Sequence, residues 1–116
     1  MATVTIYHNP RCSKSRETLK LLQDEGVEPE IIEYLKTPPT AKTLKEILKK
    51  LDMPARDLLR KKEAEYKKLK LDNPDLTETA IIQAMVKHPV LIERPIVVTK
   101  NKAALGRPPE HVLEIL

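Results

Sequence analysis

The order of its elements predicts an α/β fold for this chain: a mixed β-sheet flanked by helices and carrying an all-helical insertion. Three observations support it. The first 35 residues read as strand, helix, strand; the stretch from about 37 to 90 shows helical periodicity broken by prolines; and the rest returns to two short apolar strands before a last helix. With 116 residues the chain has room for a single domain, 1–116, with the insertion over about 37–90.

Taken in order, Thr3 to Tyr7 alternates small polar with apolar residues, the period of a half-buried strand. His8-Asn-Pro-Arg-Cys12 ends that strand as a loop, and Ser13 opens a helix running to about Glu25, where Gly26 is a natural stop. Glu30 to Tyr34 is a second β-rich run, so the unit predicts two parallel strands joined by a right-handed crossover. Beyond Thr37-Pro-Pro-Thr40, the residues Leu44, Ile47, Leu48 and Leu51 recur at i, i+3, i+4 and i+7, which makes one apolar stripe among lysines. Pro54 permits a new first turn and a short helix through Leu58 and Leu59. The stretch from Glu63 to Leu71 is ambiguous. A helix from Thr77 to about Lys87 then turns Ile81, Ile82, Met85 and Val86 inward, with Pro74 and Pro89 at its margins. Ile96 to Thr99 reads as a buried strand, Lys100-Asn101 as a tight turn, Lys102 to Leu105 as its hairpin partner, and Pro108 to Leu116 as a final helix.

That order, with a cysteine in the loop between the first strand and the first helix, is the arrangement of a thioredoxin-like sheet. Composition narrows the class further. The chain has no Phe or Trp and three Tyr, so the core must be aliphatic. No apolar run approaches the length of a membrane span, and the first ten residues lack a signal-peptide pattern, so a soluble, cytoplasmic protein is expected. A single cysteine excludes an internal disulfide and multi-cysteine zinc sites, and no cluster supports metal binding. The net charge of +4 equals that of the stretch Arg56 to Lys70, which has seven basic and three acidic residues. With so little aromatic stacking surface and no nucleic-acid motif, a small anion or an acidic protein suits this charge better than nucleic acid.

Cys12 is the residue most suited to chemistry. A helix start lowers a thiol pKa, because unpaired N–H groups and the helix dipole stabilise the thiolate. Arg11, Lys14 and Arg16 add positive charge, Ser13 and Ser15 offer hydroxyls, and His8 lies four residues upstream. The N–H groups of residues 13 to 16 also form an anion site, so nucleophile and oxyanion cradle coincide. With no second cysteine, a dithiol cycle is closed and an external thiol must complete any redox turnover. Arg60, Arg94 and Arg107 carry the side chain best fitted to an oxyanion, the last two each directly before a proline. His88 and His111 read as surface or capping residues.

The segments Tyr7-His-Asn-Pro-Arg-Cys12-Ser-Lys-Ser-Arg16, Glu33-Tyr-Leu35, Leu58-Leu-Arg-Lys61, His88-Pro89, Glu93-Arg-Pro-Ile-Val-Val98 and Gly106-Arg-Pro108 together resemble the glutaredoxin-coupled (ArsC-like) arsenate reductase family over nearly the whole chain. The resemblance implies a thioredoxin-like fold with a helical insertion and no bound cofactor. It also implies that Cys12 attacks arsenate, that glutathione, as co-substrate, attacks the adduct, and that glutaredoxin restores the thiol as arsenite leaves. By the same resemblance Arg60, Arg94 and Arg107 bind the oxyanion, His8 and Ser15 help keep Cys12 ionised, and Arg94 precedes the cis-proline of the fold. A monomer is expected. The chain departs from the arsenate-resistance enzymes in reading Cys12-Ser-Lys-Ser15 where they read C-G-T-S, and it looks more like the shorter, YfgD-type branch. A second reading stands beside the enzyme: a thiol-based regulatory or protein-binding module that docks a partner through Arg56 to Lys70.

Overall fold

The computed structural model describes residues 4–116, which fall into two compact units, 4–37 with 94–116, and 38–93. The first holds a four-stranded mixed sheet in the order β2-β1-β3-β4, built from β1 (Thr5–His8), β2 (Glu30–Glu33), β3 (Ile96–Val98) and β4 (Ala103–Leu105). β1 pairs parallel with β2 and antiparallel with β3, and β3 pairs antiparallel with β4, so the expected mixed sheet is present. Thr3, the first residue of the expected strand, lies outside the described residues.

Helix α1 (Ser13–Asp24) connects β1 to β2 and ends where expected: Gly26, at φ +78°, takes a conformation that costs glycine little, and Val27 N–H donates back to Leu22 O at 2.9 Å. Val4, Ile6, Leu22, Val97 and Val112 are buried together as the core of this unit, with Leu19, Val27 and Ala104 packed on it. The hairpin closes through Thr99, whose N–H donates to Lys102 O at 2.8 Å and whose hydroxyl bonds both N–H and C=O of Lys102, so the loop begins one residue earlier than expected.

The last element differs from expectation. Pro109–Ile115 is a 3-10 helix rather than an α-helix, beginning with Pro109 at its first turn. Its apolar residues explain the choice: Pro109, Val112 and Ile115 recur every third residue, and only a three-residue turn stacks them on one edge against α1 and β4.

The second unit is built from α2 (Ala41–Leu51), α3 (Ala55–Leu58), α4 (Ala64–Lys68), α5 (Glu78–Lys87) and a 3-10 turn at Pro89–Leu91, with one antiparallel bridge between Leu59 and Ile92. Thr40 and Thr77 cap α2 and α5, each accepting from the backbone N–H three residues on. Leu44, Ile47 and Leu48 of the predicted stripe are buried, as are Ile81, Ile82 and Met85 of α5, whereas Leu51 and Val86 are half-buried at the margins. The ambiguous stretch resolves into α4, which buries none of its own residues; Arg56 fastens the chain beyond it by donating to Leu71 O and Asn73 O at 2.8 and 2.9 Å. Among the described residues no helix is long and apolar enough to cross a membrane.

Candidate active site

The site grows from the junction of β1 and α1. His8 is not a loop residue as its position before Asn9-Pro10 suggested: it is the last residue of β1, opposite Glu33, and is 6% exposed. The pairing with β2 carries it inside the sheet before the chain turns. Asn9 then shapes the loop, its C=O accepting from Cys12 N–H and its side-chain oxygen from Arg11 N–H, both at 3.0 Å. This delivers Cys12 to the N-cap of α1, with extended backbone (φ −93°, ψ 124°), and Arg16 N–H bonds Cys12 O to open the helix.

A serine or aspartate at this position would accept from N–H groups of the first turn. Sulfur stands in its place. The side chain makes no capping hydrogen bond as a neutral thiol, but the thiolate is favoured by the N–H groups of Ser15 and Lys14. Burial works the other way and would raise the pKa of Cys12, yet those N–H groups and the Arg94 guanidinium, through both charge and a hydrogen bond, outweigh it and hold the thiol below its ordinary 9.0. Cys12 keeps partial exposure, as a reacting group must.

The cation responsible is Arg94, one residue ahead of the cis peptide at Pro95 and two ahead of β3, not the basic side chains of the cysteine's own loop. Two of those are engaged elsewhere: Arg16 Nη1 donates to Pro10 O at 2.9 Å, and Lys14 Nζ lies 3.7 Å from Glu17. Sheet pairing between β1 and β3 is what brings a residue 82 positions away in sequence to the helix start.

His8 acts at one remove. Its Nδ1 lies 2.6 Å from Ser15 Oγ, and that oxygen also accepts from Asn9 N–H at 3.0 Å. Burial depresses the His8 pKa, Glu33 pushes it back up, and Arg16 adds to the depression, so the neutral ring is favoured. With the neutral ring's Nδ1 as acceptor, the Ser15 hydroxyl donates to it, and the Ser15 oxygen in turn accepts from Asn9 N–H. His8 thus fixes Ser15 and the loop around the sulfur, rather than lending its charge to Cys12.

The two remaining arginines are placed differently. Arg107 belongs to the same unit, exposed in the loop after β4 and followed by a cis peptide to Pro108. Arg60 belongs to the helical unit, where its guanidinium pairs with Glu63 at 2.8 Å and donates weakly to Val90 O at 3.5 Å, while its own N–H bonds Leu91 O at 2.8 Å. Among the described residues no group of three or more His, Cys, Asp or Glu could hold a metal ion. Asn9 went unremarked in the sequence, although an Asn before Pro in a tight loop is a turn-forming signal.

Comparison with known proteins points one way. The chain matches the model of the ArsC family over residues 7–115. It is 61% identical over 114 residues to the uncharacterized protein YfgD of Escherichia coli (strain K12), covering 97% of this chain and 96% of that one. It is 48% identical over 117 residues to an arsenate reductase of Neisseria meningitidis serogroup A, covering both chains fully. Among solved structures, the arsenate reductase from Vibrio cholerae superposes with a TM-score of 0.96 at 51% identity over 98% of each chain. Fold, helix-start cysteine and the match along almost its whole length agree that the chain belongs to the ArsC family.

Proposed function

We propose that this protein is an arsenate reductase in which Cys12 is the nucleophile and glutathione and glutaredoxin supply the electrons. The observation that carries the reading is a thiol at a helix N-cap, partly exposed, whose ionised form is favoured by the N–H groups of Ser15 and Lys14 and by Arg94. It is supported by relatives and a solved structure of about half-identical sequence that bear the name arsenate reductase.

In this reading the Cys12 thiolate attacks arsenic(V) and displaces one oxygen, which leaves as water after protonation. The developing negative charge falls among the donors that first stabilised the thiolate, so the same groups serve both states. Glutathione then attacks the Cys12 sulfur. The sulfur–arsenic bond breaks with its electron pair going to arsenic, which leaves as arsenite, arsenic(III), while the two sulfurs are oxidised to a mixed disulfide. Glutaredoxin attacks the glutathione sulfur of that disulfide and returns Cys12 as thiolate. One cysteine in the chain suffices only because the second sulfur arrives from outside. Arg94 holds the oxyanion from the sheet side; the family resemblance adds Arg60 and Arg107 as further ligands of it.

The direct test is arsenite release from arsenate with glutathione and glutaredoxin. Turnover is expected only when both are present with the intact enzyme. Full-rate arsenite production without glutathione, or by Cys12→Ser, would contradict the reading.

A further inference from the structure

Gly106 ends the β4 side of the hairpin, buried, with no positive φ to require a glycine there. What it requires is space. A Cβ at this position would run into the Thr18 hydroxyl and lie 2.6 Å from Pro95 Cγ and 3.0 Å from Thr18 Cγ2. Neither neighbour can give way cheaply: Pro95 is a ring in the backbone, and Thr18 is fully buried with its hydroxyl donating to Lys14 O at 2.8 Å.

These neighbours are the supports of the thiolate's two sets of partners. Pro95 follows Arg94 directly, and Gly106 N–H bonds Pro95 O at 3.0 Å, continuing the β3–β4 pairing past Ile96 and Leu105. Thr18 holds the carbonyl of Lys14, the residue whose N–H faces the sulfur. We infer that Gly106 is a positioning residue: by presenting no side chain, it lets the Arg94-Pro95 segment seat directly on Thr18 of α1, and so holds the Arg94 guanidinium at the sulfur of Cys12. The inference rests on the reading of Cys12 as the reacting thiol, and adds to it a residue that touches neither sulfur nor substrate.

An added methyl must be absorbed by moving the hairpin end away from α1, and Arg94 moves with it. The charged and titratable groups that bear on Cys12 in this unit are Arg94 from the sheet side and, through Ser15, the His8 ring; only the first is carried by the displaced segment. Loss of that cation should therefore be specific.

The test follows thiolate absorbance of Cys12 against pH in Gly106→Ala, Arg94→Ala and the double variant, so it needs no substrate. The expected result is that G106A titrates at higher pH than the parent, and that G106A adds no further shift in the R94A background. An unchanged titration in folded G106A, or an equal shift in both backgrounds, would overturn the inference and leave Gly106 a packing residue only. Should G106A fail to fold, G106A/T18A removes two of the three clashing contacts and is compared with T18A in the same way. If the parent itself titrates as an ordinary thiol, both the activated-thiol reading and this inference fall. A depressed parent with an unmoved G106A removes only the inference.

Discussion

The two units bury different kinds of residue. In the helical unit, 38–93, the buried side chains of the core are apolar: Leu44, Ile47, Leu48, Leu58, Ile81, Ile82, Met85 and Leu91 among others. The sheet unit also has an apolar core, but all four buried polar residues among the described ones, His8, Ser15, Thr18 and Thr99, belong to it. Burying a polar group costs free energy unless a partner meets it, and here each partner is in place. Three of the four cluster at the start of α1, around the one cysteine. A fold tolerates such residues where they serve a site, so the proposed thiol chemistry centres on the sheet unit, whereas the buried residues of the helical unit serve packing.

That contrast can be broken by substitution, beginning with the largest effect. Cys12→Ser should abolish arsenite production while leaving unfolding by urea nearly unchanged, since the hydroxyl fits the same N-cap position. Arg94→Ala should lower turnover by about 10²-fold, the usual loss for one donor to a developing oxyanion, and raise the thiol pKa. In the helical unit Leu44→Ala should cost about 2–5 kcal/mol of stability through the cavity it leaves, and should not move the titration of Cys12.

Smaller effects sharpen the comparison. Ser15→Ala orphans the His8 ring nitrogen and the Asn9 N–H together, for about 1–3 kcal/mol, and unlike L44A it should also change turnover. The pH profile follows from the same pair. Because burial lowers the His8 pKa from 6.5, stability from the neutral ring is present above 6.5 and is lost as pH falls through the lowered folded value. The depressed Cys12 thiol has the same sign: its contribution is present above 9.0 and is lost as pH falls through the folded value. Urea midpoints measured across pH should decline below 6.5, and His8→Gln should flatten that decline. Thr77→Ala, which removes only the cap of α5, is the smallest change at about 1 kcal/mol.

Much of the sheet unit was legible because its signals are local. Alternation marked β1, Gly26 marked the end of α1, and a cysteine between them marked the site. The apolar stripe of α2 was equally plain, because Leu44, Ile47 and Leu48 share a face within a few turns. What escaped depends on distant residues or on fine spacing. His8 looked like loop because the strand pairing that buries it comes from β2. The cations in Cys12's own loop looked responsible for activating it, while the one that bears on the sulfur arrives from the far end of the chain through β3. Gly106 enters the sequence reading only within Gly106-Arg-Pro108; its need for space appears only once α1 and Pro95 are packed beside it. The 3-10 character of Pro109–Ile115 is not legible in sequence, because seven residues are too few to separate a period of three from one of 3.6.

The central claim, that one thiol in the sheet unit performs the reduction with a sulfur borrowed from outside, is tested most directly by trapping the intermediate. Enzyme mixed with arsenate and glutathione, without glutaredoxin, is quenched, digested and analysed by mass spectrometry. One glutathione is expected on the peptide containing Cys12, formed only when arsenate is present and removed by glutaredoxin as arsenite turnover begins. Arsenite formed at full rate with Cys12 unmodified, or glutathione added to the same extent without arsenate, would contradict it.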